Sequence, residues 1–333
     1  MDLIEHFIQA AQQNPVRIVY PEAHDERILR AAVKVSELKI ARPILVGEKA
    51  ELTGLADGLG INLAGVEIQN NQDASLLDTY AELYSQRRKV KPTIARRLIK
   101  KPLSFAGMMV KAGAAAGMVA GVANATTSVI QAASLTIGFE PGISTPSSFF
   151  IMIIPDYYGQ IDYPIIFADC AVNIDPTPQE LAEIAIASGA NAKALLGVEP
   201  RIALLSFATQ GSANHIRVDK VRDTVAIARE KAPHLLIDGE FQADAALIPQ
   251  VAAKKVKDSL VAGSANVLIF PDLDSGNIAY KLVQYLAGSK AIGPIMQGFA
   301  SPINDLSRGA SVEDIIAVTA ITVVQAQNKS TSY

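Results

Sequence analysis

The stretch 17-RIVYPEAHDERILRAAVKVSEL-38 decides the fold class of the chain. It opens with a short apolar run, passes through a polar loop, and continues with apolar residues at helical spacing. A strand that leads directly into a helix is the repeating unit of a parallel sheet covered by helices. The stretch therefore predicts an α/β fold in which the loop follows the carboxyl end of a strand.

The same alternation recurs along the 333 residues. In the first half, 41-ARPILVG-47 and 66-VEIQN-70 each precede a helical pattern. In the second half, 201-RIALLSF-207, 235-LLIDGE-240 and 266-NVLIFPD-272 do the same. These second-half runs are almost entirely apolar, as expected for strands that are buried on both faces of a sheet. Length and repetition together favour two domains.

Between the halves lies 138-GFEPGISTPS-147, whose Gly, Pro and Ser content indicates a crossover between domains. Two apolar runs then flank the polar loop 156-DYYGQIDY-163, which predicts an antiparallel pair added to the second sheet. The last helix, about residues 311–328, is predicted to return to the first domain. We therefore predict two doubly wound α/β domains with a cleft between them, comprising residues 1–141 plus 297–333 and residues 142–296.

Charge and composition exclude several classes of protein. With 30 Lys and Arg against 33 Asp and Glu, the net charge is -3, and no run of basic residues suits a nucleic acid. One cysteine and four scattered histidines predict neither an internal disulfide nor a metal site. The first residues, 1-MDLIEHFIQAAQQNP-15, lack the basic region and apolar core of a signal peptide, so we expect a cytoplasmic protein with no membrane partner.

Two common phosphate cradles are missing from the sequence. No GxxxxGK[ST] motif occurs, and the nearest approach to GxGxxG, at Gly58 and Gly60, has Leu63 in place of the third glycine. The sequence therefore argues against a P-loop kinase and a simple dinucleotide-binding fold.

The stretch 304-NDLSRGASVEDI-315 is the main candidate for chemistry. Arg308 offers a planar fork that suits a phosphate, Ser307 can donate a hydrogen bond, and Asp314 can take a proton. The alternative is structural: Asp305 or Ser307 caps a helix, and Asp314 is a solvated acid of its first turn.

Other candidates are weaker when taken alone. Arg27 follows a strand and opens a helix, which suits an anion site, but it is as often a surface charge paired with Glu22 or Asp25. Arg87 ends a helical pattern, where a cation suits the helix dipole in any case. Cys170 lies in an apolar run and is expected to be a buried small hydrophobic residue rather than a nucleophile.

Several long stretches together resemble one family, the phosphate acetyltransferases (phosphotransacetylases). The stretches are 18-IVYPEAHDERIL-29, 204-LLSFATQGSA-213, 235-LLIDGEFQADAALIP-249, 269-IFPDLDSGNIAYKLVQ-284 and 293-GPIMQGFASPINDLSRGAS-311. The similarity covers essentially the whole chain, and the C-terminal block is long and specific.

The resemblance implies a two-domain α/β homodimer, similar in architecture to the isocitrate and isopropylmalate dehydrogenases. It implies acetyl transfer between acetyl phosphate and coenzyme A in a ternary complex, with no metal and no cofactor beyond coenzyme A as a substrate. The implied catalytic residues are Ser307, Arg308 and Asp314, and the family arginines that contact coenzyme A or phosphate fall on Arg27 and Arg87.

The chain also departs from the family pattern. A third family arginine falls on Gln131, a histidine falls on Asn124, and an aspartate falls on Ala116, three changes that we expect in one region of the cleft. They leave open a preference for propionyl or butyryl groups, or a protein that binds coenzyme A or another anion with little turnover. A metal-dependent 2-hydroxyacid dehydrogenase is a more remote alternative.

Overall fold

The structure of the protein is a computed structural model that describes residues 3–330. It contains two compact units. The first comprises the described residues up to Glu140 together with those from Phe299 onward, and the second comprises Pro141–Gly298.

The chain begins in the first unit with α1 (Leu3–Gln13), β1 (Arg17–Tyr20), α2 (Glu26–Glu37), β2 (Arg42–Val46), α3 (Lys49–Gly58), β3 (Glu67–Gln69), α4 (Ala74–Arg88), α5 (Pro92–Ile99), α6 (Pro102–Lys111), β4 (Gly117–Ala120) and α7 (Thr126–Thr136). It continues in the second unit with β5 (Ser147–Tyr157), β6 (Gln160–Ala168), α8 (Pro178–Leu196), β7 (Arg201–Leu205), α9 (Ile216–Lys231), β8 (Leu236–Phe241), α10 (Ala243–Leu247), α11 (Pro249–Lys255), β9 (Val267–Ile269), α12 (Leu273–Leu286) and β10 (Lys290–Gln297). It returns to the first unit with β11 (Ile303–Asp305) and α13 (Val312–Ser330).

The sheet of the first unit is parallel throughout, with the strand order β11-β4-β1-β2-β3. The helices form two groups that each contact the central strands, with α1, α2 and α13 in one and α4 to α7 in the other. From β1 the chain builds outward through β2 and β3, and it later places β4 and β11 on the other side of β1. The direction of winding thus reverses between β1 and β4, which is where open α/β sheets bind ligands.

The stretch that predicted the fold class forms the strand and helix expected of it. β1 is buried along most of its length, and α2 begins after Asp25, whose carboxylate accepts the N–H of Arg27. The final helix α13 packs against α1 and α2, and the Tyr20 and Thr319 hydroxyls lie 2.8 Å apart. The predicted return of the last helix to the first unit is therefore observed.

The second unit contains a six-stranded sheet with the order β10-β5-β6-β9-β7-β8. Strands β6, β9, β7 and β8 are parallel, and β5 and β6 form the predicted antiparallel pair. The antiparallel edge strand β10 was not predicted, because Gly293 and Pro294 in its middle are typical of a break in a strand. An irregularity in the pairing between Ile292 and Ile295 accommodates them.

Among the helices within residues 3–330, none is long and apolar enough to cross a membrane.

Candidate active site of the first unit

Three loops meet at the carboxyl edge of the first sheet, because β1, β4 and β11 are adjacent parallel strands. They are residues 21–25 after β1, residues 121–125 after β4 and residues 306–311 after β11. The first two flank the point at which the winding reverses. The third carries Ser307 and Arg308.

The carboxylate of Glu22 binds the backbone of the loop after β4. It accepts the consecutive backbone N–H groups of residues 121–124 at 2.7, 2.9, 3.1 and 2.8 Å. It also accepts the side-chain amide of Asn124 at 2.6 Å. Glu22 is buried, so the five hydrogen bonds take the place of the water that its carboxylate loses on burial. The residue that departs from the family histidine, Asn124, thus helps to fix this loop.

The loop after β4 touches the end of β11, where Gly121 lies against Asp305 and Leu306. Gly121 has a φ of 118°, and a Cβ at this position would meet Asp305 Oδ1 and the backbone of Leu306. Only glycine has both the backbone freedom and the lack of a side chain that this close approach requires. The Thr126 hydroxyl, at the start of α7, donates to Asp305 Oδ2 at 2.5 Å.

Arg27 connects all three loops. Its Nε and Nη2 donate to the two oxygens of Asp25 at 2.9 and 2.8 Å. Its Nη1 donates to the carbonyl oxygens of Arg308 at 2.8 Å and Ala310 at 2.9 Å, and Nη2 donates to the carbonyl oxygen of Val122 at 3.3 Å. The paired carboxylate raises the pKa of Arg27, and the same hydrogen bonds lower the pKa of Asp25.

Ser307 and Arg308 form an exposed turn. The backbone N–H of Ala310 donates to the carbonyl oxygen of Ser307 at 2.9 Å, and the N–H of Gly309 donates to Ser307 Oγ at 3.2 Å. Both side chains face outward from the described chain. A hydroxyl and a guanidinium are therefore presented side by side, a pair that suits an oxyanion or a phosphate.

Asp314 lies six residues beyond Arg308 and takes part in the N-terminal cap of α13. Its Oδ2 accepts the N–H and the hydroxyl of Ser311, both at 2.9 Å, and its own N–H donates to Ser311 Oγ at 3.1 Å. This is a reciprocal capping box. The idea that Asp305 or Ser307 caps the helix is therefore wrong, because Ser311 does so, whereas Asp314 is indeed an exposed acid of the first turn.

The remaining predicted binding residues lie along α7. Gln131 is exposed in the middle of this 11-residue helix. At its carboxyl end, Arg87 donates to the carbonyl oxygen of Thr136 at 2.5 Å, and Arg88 donates to those of Ser134 and Leu135. Since α-helices rise about 1.5 Å per residue, Arg87 is about 15 Å from the end of α7 that contacts Asp305. Arg87 and Gln131 are thus not part of the cluster around Ser307.

The predicted site residues therefore separate into two places. Ser307, Arg308, Asp314 and Arg27 come together at the sheet edge, whereas Arg87 and Gln131 line the helix that leads away from it. The expectation that Ala116, Asn124 and Gln131 occupy one region is wrong, because Ala116 precedes β4 and lies at the opposite edge of the sheet.

Sequence reasoning missed the roles of Glu22, Thr126 and Asp305. The polar loops after the strands pointed to this edge of the sheet, but no local pattern shows which backbone groups Glu22 binds. No local sequence pattern shows that Asp305 is almost completely buried either.

Cys170 does not belong to any exposed site. It is buried in the core of the second unit, and burial, reinforced by the nearby Asp169 charge, raises the pKa of its thiol well above the ordinary value. A thiol that resists ionisation is a poor nucleophile. The prediction that Cys170 is a small hydrophobic core residue is confirmed.

The site thus presents a hydroxyl and a guanidinium in an exposed turn that precedes the Asp314 carboxylate. Comparison with known proteins identifies the class of protein. The family model described as phosphate acetyl/butaryl transferase matches residues 2–323. The chain belongs to this family, and it is therefore an acyltransferase, as the sequence resemblance implied.

Individual relatives agree with this assignment. The chain is 47% identical over 331 residues to a phosphate acetyltransferase of Clostridium acetobutylicum, covering 98% of this chain and 99% of the relative. It resembles the crystal structure of a phosphotransacetylase from Streptococcus pyogenes with a TM-score of 0.90 and 41% identity, covering 98% of both chains.

The fold alone is shared more widely. A solved structure from Salmonella typhimurium, named for a 4-hydroxythreonine-4-phosphate dehydrogenase, superposes with a TM-score of 0.55 at 12% identity, covering 93% of this chain and 99% of the other. The prediction of a two-domain α/β architecture of the dehydrogenase-like kind is confirmed.

Proposed function

We propose that this protein transfers an acetyl group reversibly between acetyl phosphate and coenzyme A. The observation that carries the proposal is the exposed Ser307–Arg308 turn beside Asp314, at the carboxyl edge of the sheet, in a chain of this family. A turn that presents a hydroxyl and a guanidinium beside a carboxylate supplies the groups that a direct transfer needs.

The proposed reaction is a direct attack of the thiolate in a ternary complex. Asp314 removes the thiol proton of coenzyme A, and the thiolate sulfur forms a bond to the acetyl carbon. The Ser307 hydroxyl stabilises the negative charge that develops, and the carbon–oxygen bond to phosphate breaks. Arg308 holds the departing phosphate with a planar pair of N–H donors. The proton remains on Asp314 until solvent or phosphate takes it.

The hydrogen bonds of Asp314 are compatible with this role. Ser311 holds Oδ2, and within residues 3–330 no hydrogen bond engages Oδ1. One oxygen thus fixes the orientation of the carboxylate, and the other is free to take the proton. A base that also caps its own helix is oriented without further contacts.

Coenzyme A is proposed to extend along α7 from the Ser307–Arg308 turn. Arg87, at the far end of this helix, is suited to a phosphate of the nucleotide part, since one of its five N–H groups is used by Thr136. Gln131 lies between the two and would contact the same ligand without a charge. We propose no metal and no further cofactor, and a cytoplasmic location.

We also propose a homodimer. On α12, Ile278, Leu282, Tyr285 and Leu286 are 56%, 52%, 79% and 81% exposed, and their spacing places them along one face of the helix. An apolar face of this kind commonly marks a protein interface. Sedimentation velocity should give the mass of a dimer, and Leu286→Glu should shift the distribution toward the monomer. A wild-type protein of 35.3 kDa in solution would contradict the proposal.

The function is tested by following thioester formation with acetyl, propionyl and butyryl phosphate in the presence of EDTA. Acetyl phosphate should give the highest kcat/KM. A higher value with butyryl phosphate would assign the longer acyl group. No turnover with any of the three by a folded protein would refute the proposal, and calorimetric binding of coenzyme A alone would then favour a binding protein.

A further inference from the structure

We propose that Arg27 is a positioning residue that holds the Ser307–Arg308 turn in place, rather than a residue that binds coenzyme A or phosphate. The inference rests on the proposed function for the roles of Ser307 and Arg308, and it concerns how the chain fixes them. It differs from the expectation that the family resemblance gives for Arg27.

Every N–H group of the Arg27 guanidinium is already used in a hydrogen bond. A guanidinium has five N–H groups in a rigid plane. Arg27 makes five hydrogen bonds, two to the Asp25 carboxylate and one each to the carbonyl oxygens of Val122, Arg308 and Ala310. No N–H remains for a phosphate, and the bidentate Asp25 carboxylate already occupies the position that a phosphate would take.

Within residues 3–330, the hydrogen bonds from residues 307–310 to other segments are those with Arg27. The remaining bonds of these residues close the turn on itself at Ser307. Between the end of β11 and the cap of α13, the two hydrogen bonds from one Arg27 nitrogen are therefore what ties the backbone of the turn to the sheet.

Asp25 holds the Arg27 side chain at the start of α2. Its Oδ1 caps α2 by accepting the backbone N–H of Arg27 at 2.9 Å, and both oxygens also hold the guanidinium of the same residue. The Arg27 guanidinium is thus held in place by the rigid first turn of α2. It points at main-chain carbonyls, which a phosphate-binding arginine has no reason to contact.

Kinetics of Arg27→Lys and Asp25→Asn distinguish the two roles. Lysine keeps the charge but not the five-donor fork, and asparagine keeps the helix cap but not the ion pair. If Arg27 positions the turn, each variant should lower kcat about ten- to a hundredfold, with KM for both substrates changed less than about threefold. If Arg27 instead binds an anion, Arg27→Lys should raise KM at nearly constant kcat, and Asp25→Asn should not lower kcat.

Arg30→Lys is the matched control. It lies one turn further along α2, and among residues 3–330 its guanidinium pairs with the exposed Glu26. The same substitution there should leave kcat and KM unchanged, which shows that losses in Arg27→Lys do not come from weakening α2.

Hydrogen exchange tests the inference independently of any activity. In Arg27→Lys the amides of residues 306–311 should exchange faster than in the wild type, whereas the parts of the first unit away from the three loops that Arg27 connects should be unaffected. Unchanged exchange in this segment, or a rise in KM with kcat preserved, would overturn the inference. An inactive wild-type protein would refute the proposed function but would leave this exchange test intact.

Discussion

The hydroxyl of Thr126 donates to Asp305 Oδ2 at 2.5 Å, while Oδ1 of the same buried carboxylate has no hydrogen-bond partner among residues 3–330. Burial raises the pKa of Asp305 to about 6, although the Thr126 hydrogen bond opposes the rise, and the nearby Glu22 carboxylate adds to it. Asp305 is therefore a carboxyl group whose pKa lies well above that of an ordinary aspartate.

This pKa has a consequence for stability. Because the folded value lies above the ordinary value, Asp305 binds its proton more tightly in the folded state, so the ionised form opposes folding. The penalty is absent below about pH 4 and fully present above pH 6, where it reaches about 3 kcal/mol.

The Asp305→Asn variant removes this titration while keeping an oxygen that accepts from Thr126. The free energy of unfolding of the wild type should fall between pH 5 and pH 8 by more than that of the variant. Urea unfolding at the two pH values measures this difference, and any constant cost of the amide cancels. Equal changes in both proteins would show that Asp305 titrates like an exposed acid.

Variants of Asp314 and its neighbour Glu313 distinguish a catalytic role of Asp314 from a role in stabilising the start of α13. Both are exposed acids in the first turn of α13, so Asp314→Asn and Glu313→Gln each lose a favourable interaction with the helix dipole, worth about 0.5 kcal/mol. Only Asp314→Asn removes the proposed base and should lower kcat about a hundred- to ten-thousandfold. Initial rates and thermal melting of the two variants make the comparison. A similar kcat in both would assign Asp314 to the cap alone.

Gln131 offers a test by gain of function. Since it lies on α7 between the Ser307–Arg308 turn and Arg87, Gln131→Arg would restore a charge on the proposed path of coenzyme A. The KM for coenzyme A should fall about tenfold, with kcat nearly unchanged, because a charged hydrogen bond adds about 1.5 kcal/mol or more.

The control for this variant is Gln9→Arg, which makes the same change on the exposed face of α1. It should leave KM unaffected. If both variants lower KM equally, the effect comes from net charge, and the path of coenzyme A along α7 is wrong.

Much of the fold could be predicted because strand and helix signals are local. Residues 17–38 contain an apolar run and a helical pattern, and each forms the predicted element. Strand β10 could not be predicted, since Gly293 and Pro294 indicate a break in a strand when the sequence alone is considered. Only its pairing with β5 makes the segment a strand.

The site was predictable in its residue types but not in its contacts. Ser307, Arg308 and Asp314 stood out as a group able to bind phosphate and move a proton. Arg27 looked like an anion-binding arginine because its partners, the carbonyl oxygens of Arg308 and Ala310, lie more than 280 residues away along the chain. Every residue type supplies a backbone carbonyl oxygen, so the sequence does not show that Arg27 contacts the turn. Only the folded structure shows this contact.

An activity measurement on a variant of Arg308 tests whether the Ser307–Arg308 turn performs acyl transfer. Thioester formation from acetyl phosphate and coenzyme A is followed in EDTA for the wild type, Arg308→Ala and Arg42→Ala. Arg42 is a matched control, because it is an exposed arginine at the amino end of β2, the opposite edge of the same sheet. We expect rapid turnover by the wild type and Arg42→Ala, and a rate of thioester formation lowered about a hundredfold or more in Arg308→Ala. Full activity in Arg308→Ala, or none in the folded wild type, would contradict this role of the turn.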